Sequence, residues 1–110
     1  MRKPSTDVLQ GTLTLLVLKT LSRGPLHGYA IAQSIQTVSR ELLRVEEGSL
    51  YPALHRMEQE NWVQSEWSVS ESNHRMRVYS LTVAGHRQLV EEEHRWDKLM
   101  AGVKEVLRFS

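Results

Sequence analysis

The chain contains no cysteine, which excludes a disulfide framework and any thiolate metal site, and is neutral toward a reducing compartment. Long hydrophobic runs are also missing. The longest, Leu15 to Leu18, is far too short to cross a membrane or direct export, and the opening residues carry Arg2 and Lys3 followed by polar side chains. No membrane association and a cytoplasmic location are therefore expected. A charge excess of one sign is lacking as well: 14 Lys and Arg face 13 Asp and Glu, for a net charge of +1. Bulk charge thus does not announce a nucleic-acid partner, and any such case must rest on where the charges sit. No G-x-S-x-G sequence, no Walker sequence and no carboxylate pair in an apolar setting occurs, so an enzyme is not expected and no cofactor is implied. The five histidines show no clustered metal-ligand spacing, with His86 and His94 eight residues apart and no acidic set beside them. Internal repeats, low-complexity tracts and linkers are absent too.

What is present fits one compact unit. At 110 residues, with 40% hydrophobic and 25% charged residues, the chain has the size and composition of a single folding domain. Leu9, Leu13, Leu16 and Val17 recur at the spacing of a buried helical stripe, which predicts a first helix over Leu9 to Leu21. Val8, Leu15 and Leu18 lie off that stripe, and a second apolar face calls for a second partner. Ser22, Arg23, Gly24 and Pro25 end the pattern. A second helix is predicted from about Gly28 to Ser39, with Ile31, Ile35 and Val38 on one face beside Tyr29. A brief extended pairing is expected over Leu42 to Val45. The third helix is predicted over Ser49 to Glu60, with Ser49 as N-cap, Pro52 in the first turn, Leu50, Leu54 and Met57 inward, and Asn61 ending it in the left-handed region.

From Trp62 to Val69 the period becomes two, with Val63, Trp67 and Val69 on one side. Ser70 to Asn73 supply a turn, and Arg75 to Leu81 return as the second strand of a hairpin. Thr82 then caps a last helix whose Leu89, Trp96 and Val103 recur every seven residues. The order of elements is that of a winged helix-turn-helix: a mainly α chain with a β-hairpin wing and a long C-terminal helix. Three blocks reinforce it, namely Gly24-Pro25-Leu26-His27-Gly28-Tyr29, then Gly48-Ser49-Leu50-Tyr51-Pro52-Ala53-Leu54-His55-Arg56-Met57-Glu58, then Arg75-Met76-Arg77-Val78-Tyr79-Ser80-Leu81-Thr82. Their order and spacing closely resemble the signatures of PadR-family transcriptional regulators, over nearly the whole chain. Met57 stands where the family prefers Leu, and Asn61 where it usually has Gly. The resemblance implies a short-form regulator, dimeric through a single C-terminal helix, that represses nearby genes and in some members is released from DNA by a ligand. Residues 1–81 would then be the DNA-binding unit and 82–110 the dimerisation helix.

The residues themselves select a DNA-facing surface. With Leu50, Leu54 and Met57 inward, Ser49, Pro52, His55, Arg56 and Gln59 project from the opposite side of the third helix. Arg56 suits guanine O6 and N7, Gln59 suits adenine, and Ser49 and His55 suit bases or phosphates. Tyr51 lies at the margin, where a half-buried core aromatic and a phosphate contact are equally consistent with the pattern. Arg56 has an alternative use in an ion pair with Glu60. His74, Arg75 and Arg77 bring positive charge to the hairpin, where they suit phosphates beside the minor groove, although surface arginines on a solvated turn would have the same composition. Arg2 and Lys3 suit a further backbone-binding arm, and equally a frayed terminus. The expected partner is double-stranded DNA with two half-sites. The competing expectation is a winged-helix protein-interaction module without DNA binding, which the near-zero net charge permits.

The last helix would be about 39 Å long at 1.5 Å per residue, longer than the preceding body can cover. A homodimer is therefore expected, with Leu15, Leu18, Leu89, Trp96, Leu99, Met100, Val103 and Leu107 at its interface. The alternative is a helix folded back on its own core. Trp96, central in that stripe, is the candidate ligand-binding residue for a small, flat aromatic effector; a large packing anchor is the plainer reading. Glu91, Glu92 and Glu93 read as a solvated face.

Overall fold

The computed structural model describes residues 4–109, with side chains from Gly11 onward. Arg2 and Lys3, and the side chains of Val8 and Leu9, lie outside the described part. Four helices and three short strands follow one another as α1 (Pro4–Leu21), β1 (Leu26–His27), α2 (Gly28–Val38), α3 (Glu47–Gln59), β2 (Val63–Val69), β3 (Arg75–Leu81) and α4 (Val83–Phe109). The strands form one antiparallel sheet in the order β1-β3-β2. β1 pairs Leu26 with Tyr79 and His27 with Val78, while β2 and β3 pair along their length from Val63 opposite Leu81 to Val69 opposite Arg75. Among the described residues no helix is long and apolar enough to cross a membrane.

Apolar spacing explains the core. Leu13, Val17, Leu18 and Leu21 of α1 meet Ile31 and Ile35 of α2 and Leu50, Ala53, Leu54 and Met57 of α3, with Val63, Tyr79 and Leu89 closing the cluster. Two residues expected at a subunit interface are thus core residues of a single chain. Leu18 is fully buried and Leu89 is 7% exposed, because α1 is enclosed by α2, α3 and the first half of α4 and needs apolar groups on several faces. Val38 departs in the other direction. It is expected inward and is exposed, since it sits in the last turn of α2, at the rim of a groove that Leu16 and Lys19 of α1 also line.

The connection between α2 and α3 is not extended. Arg40 and Glu41 both take positive φ, 56° and 68°, and the chain folds back so that the Glu41 N–H reaches the Gln36 carbonyl at 2.8 Å and the Leu43 N–H reaches Ser39 Oγ at 3.0 Å. Leu42 to Val45 therefore form no strand; the short strand lies instead at Leu26–His27, where β3 offers a free edge. Helix α3 begins two residues before Ser49. Glu46 is its N-cap, with no side-chain cap bond, and its carbonyl accepts from both Ser49 and Leu50. Pro52 consequently lies inside the helix rather than in its first turn, where it removes the bond that would run to the Gly48 carbonyl.

The end of α3 follows from Asn61, whose φ of 64° reverses the chain. The Asn61 N–H bonds the Glu58 carbonyl and the Trp62 N–H the Met57 carbonyl, both at 2.9 Å, a paired closure that satisfies the last carbonyls. Thr82 joins this turn to α4. Its hydroxyl donates to the Asn61 carbonyl at 2.6 Å and lies 3.1 Å from the Trp62 carbonyl, while accepting from the Gly85 N–H at 2.9 Å as the cap of α4. Gly85 is buried against the same turn: a Cβ there would fall far inside van der Waals contact of the Trp62 carbonyl oxygen. The glutamates of α4 are not simply solvated. Glu93 pairs with Lys19 of α1 at 3.5 Å, and Glu92 accepts from Gln88 and Arg95. Beyond Met100 every described residue of α4 is exposed.

Candidate nucleic-acid interface

The inward face of α3 is fixed by Leu50, Ala53, Leu54 and Met57, all at most 1% exposed, and this leaves Tyr51, Pro52, His55, Arg56 and Gln59 on the outside. Ser49 is half-buried at the rim. Among the described residues no ion pair engages Arg56, so the alternative partner Glu60 leaves its guanidinium in solvent. Tyr51 combines the two roles weighed for it. It is 42% exposed, yet its ring lies so close over Gly28, the first residue of α2, that a Cβ there would meet the phenol at 2.6 Å. A glycine at that position leaves the space that the phenol end of Tyr51 occupies over the start of α2.

Beside this helix stands the wing. Its tip is a tight turn in which Asn73 takes a φ of 67°, the Ser70 N–H bonds the His74 carbonyl at 2.8 Å, and Ser70 Oγ accepts the His74 N–H at 3.0 Å. The His74 ring is held by Ser72 at 3.2 Å. Arg75 and Arg77 share one sheet face with Trp67, their guanidinium carbons 4.5 and 5.4 Å from its ring centroid. Arg77 also approaches Glu58 of α3 at 3.8 Å, and Glu58 accepts from Ser65 Oγ of β2 at 2.7 Å. These contacts tie the wing to the outward edge of α3. Tyr79 lies beneath, where burial raises its phenol above the ordinary value of 10.0; Arg77 opposes that shift, and Glu58 and Tyr51 add to it.

The helix and the wing border a single open cleft. His55, Tyr51 and Glu58 of α3 line one side, Trp67, Arg75 and Arg77 the other, and His27 and Tyr29 from the start of α2 close the end. Four of these residues escaped sequence reasoning. Trp67 shares one side of its strand with Val63 and Val69, yet it is 58% exposed because β2 runs out past the body. Glu58 lies between the inward and outward faces of α3, and only the register of the wing reveals its partners. His27 and Tyr29 stack at 6.5 Å between ring centroids, with His27 Nδ1 accepting from the Ala30 N–H at 3.4 Å. Their Gly-Pro-Leu-His-Gly-Tyr block was the available signal. The potential interface residues of α4 behave differently from one another. Trp96 is 36% exposed in a groove between α1 and α4 that Leu15 also lines, whereas Leu99, Val103 and Leu107 border an apolar strip farther out.

Residues 17–91 match the profile of the Transcriptional regulator PadR-like family. The chain belongs to that family. A transcriptional regulator of Mycobacterium tuberculosis is 34% identical over 90 residues, covering 82% of this chain and 80% of that protein. An uncharacterized 37.1 kDa protein in a transposon of Streptomyces fradiae is 42% identical over 91 residues, covering 83% of this chain; the chain spans only 25% of that relative's length. Among solved structures, a PadR-family transcriptional regulator from Eggerthella lenta superposes with a TM-score of 0.80 at 33% identity, covering 96% of this chain and 90% of the other. Fold and family agree with the winged helix-turn-helix expected from the three sequence blocks.

Proposed function

We propose that this transcriptional regulator is a cytoplasmic repressor that binds a two-half-site operator as a homodimer. Residues 1–81 supply the DNA-binding unit, and 82–110 the dimerisation helix. The observation that carries the reading is the single cleft in which the outward face of α3 meets the wing cations. An exposed helix face bearing Arg56, His55 and Gln59 has the width and the donors to enter a major groove, while Arg75 and Arg77 lie where the flanking backbone would run. A protein-interaction module would instead present an apolar patch at this place, and the charged rim of the cleft favours DNA. The exposed apolar strip on α4 supports the second subunit, which would set the two α3 helices about one helical turn, roughly 34 Å, apart. Trp96, half-open between α1 and α4, would lie near the axis of such a dimer and take a flat aromatic effector whose binding changes the spacing of the two α3 helices. No catalytic step belongs to this reading.

Selection of bound duplexes from a random pool tests it, followed by measurement of the variants on the selected site. Arg56→Ala relaxes the preference at one base pair, by about 1–3 kcal/mol for a bidentate contact. Arg75→Ala with Arg77→Ala weakens every sequence alike and flattens the salt dependence. Failure to enrich any two-half-site sequence, or equal loss on all sequences from all of these changes, refutes the assignment of base reading to α3. For the effector, Trp96→Leu removes any response of DNA binding to flat aromatic compounds; a response that survives the change excludes Trp96 as the sensor.

A further inference from the structure

The wing carries an aromatic residue that burial does not account for. Trp67 is 58% exposed and lies outside the hydrophobic core, so its large apolar surface contributes little to folding by removal from water. Its neighbours on the same sheet face are cations. Trp67 stands directly across from Arg77 in the β2–β3 register, and Arg75, which pairs with Val69, is its diagonal neighbour. Both guanidinium groups lie within the distance at which the indole face attracts a cation. Arg77 is held a second time, by Glu58 at 3.8 Å. Glu58 itself is oriented by Ser65 Oγ, two residues before Trp67 on the same face.

From this arrangement we infer that Trp67 is the positioning residue of the wing: it orders Arg75 and Arg77 before DNA arrives and does so without touching DNA itself. The inference rests on the DNA-binding reading. A stacked guanidinium uses only its face on the ring, so the in-plane N–H groups of Arg75, and those of Arg77 not turned to Glu58, can reach phosphate oxygens, and stacking and phosphate contact do not compete. Arginine otherwise loses much rotamer freedom when fixed, and two such losses fall on the binding step unless they are met in the free protein. The tie to Glu58 adds a direction. It fixes the stacked pair relative to α3, so that the helix and the wing cations face one side together.

The test uses the full chain and a fluorescein-labelled duplex of mixed sequence, because backbone contacts do not depend on sequence, with affinity followed by anisotropy across a salt series. Trp67→Ala weakens binding about tenfold at fixed salt while leaving the slope of log affinity against log salt near that of the unmodified protein, since no charge is lost. Trp67→Phe restores most of the affinity. Arg75→Ala with Arg77→Ala lowers the slope by about one to two, and adding Trp67→Ala to that pair has no further effect. In the free protein, the δ-methylene protons of Arg75 and Arg77 are shifted upfield by the indole ring and return on Trp67→Ala. A full tenfold loss from Trp67→Ala in the double-arginine background would show that the indole touches DNA itself and overturns the inference with the DNA reading intact. Absence of the upfield shifts overturns the stack without reference to DNA. Failure of the unmodified protein to bind any duplex at low salt overturns the DNA reading, and the inference with it.

Discussion

Leu99→Asp tests the proposed dimerisation through α4 apart from the fold of the single chain. Leu99 lies outside the core and is 56% exposed, so its replacement leaves the packing of one chain untouched. With Val103 at 37%, Val106 at 73% and Leu107 at 69% exposed, it belongs to a strip at the three- and four-residue spacing of one helix face. Together the exposed fractions amount to roughly two to three whole side chains, worth about 4–7 kcal/mol per chain if a partner covers them. Two chains double that gain, against about 4–15 kcal/mol for lost freedom on association. Gain and cost are of similar size, so the dimer depends on the whole of the strip. Leu99→Asp removes one contact from each chain and places a carboxylate in the seam, a loss of at least about 4 kcal/mol per dimer, or roughly a thousandfold in Kd. Sedimentation velocity over micromolar concentrations reads the change directly, and circular dichroism checks that helix content is retained. An unmodified chain that sediments as a monomer throughout, or a Leu99→Asp variant that dimerises as tightly as the unmodified chain, refutes the reasoning. Truncation after Gln88 is a poorer test, because it also removes Leu89 from the core of the chain.

Three further outcomes are expected. Gly85→Ala drives a Cβ into the Trp62 carbonyl and breaks the contacts that Thr82 makes there, lowering stability by about 2–4 kcal/mol; a melting temperature within a few degrees of the unmodified protein would contradict the rigid joint. Glu58→Gln keeps an acceptor for Ser65 but removes the ion pair that turns Arg77 toward α3, so the salt slope on mixed-sequence duplex steepens as Arg77 becomes free to neutralise phosphate, while the lost orientation keeps affinity at fixed salt from rising with it; an unchanged slope would show that the pair does not restrain Arg77. Tyr79 has its pKa raised in the folded chain, chiefly by burial, so the unfolded state loses its phenol proton first. Its contribution is complete below pH 10 and is lost as pH rises from there through the folded value, and Tyr79→Phe should remove that part of the alkaline loss in a pH series of denaturant melts.

Much of the fold was legible because its elements announce themselves locally. The change from a period near four to a period of two at Trp62 marked the wing, and Asn61 marked the end of α3 by its tolerance of positive φ. What failed depended on the rest of the chain. Leu26–His27 became a strand only because β3 offered them an edge. Ser49 has the chemistry of a cap, yet the Glu46 carbonyl begins the helix earlier, since two left-handed residues at Arg40 and Glu41 bring the chain round sooner than a simple turn would. Leu18 was assigned to a second subunit because periodicity counts faces and cannot tell whether the covering partner belongs to the same chain. The outward side of α3 could be drawn from its apolar stripe alone. The cation–indole arrangement could not, as it requires the register of two strands and the placement of Glu58 across an element boundary.

The same contacts that end α3 also begin α4, and this has a consequence for how an effector would act. Thr82 and Gly85 hold the first turn of α4 against the carbonyls of Asn61 and Trp62, two and three residues after Gln59. Lys19 and Glu93 tie the middle of α4 to α1. A displacement of α4 at Trp96 therefore has no soft segment in which to dissipate before it reaches α3, because the intervening Leu89 is packed in the core and the joint at Thr82 is closed by hydrogen bonds. Packed contacts of this kind move as bodies rather than deform. An effector held by Trp96 in a dimer would then alter the distance between the two α3 helices, not the shape of either, and DNA would oppose or favour the effector by the same factor. Loosening the joint separates the two halves of that linkage. Thr82→Val keeps the volume of the side chain but removes the cap of α4 and the hydroxyl's bond to the α3 turn, leaving only the backbone bond from residue 82 to the Trp62 carbonyl, so it should reduce the effect of an effector on DNA affinity more than it reduces the affinity for either ligand alone.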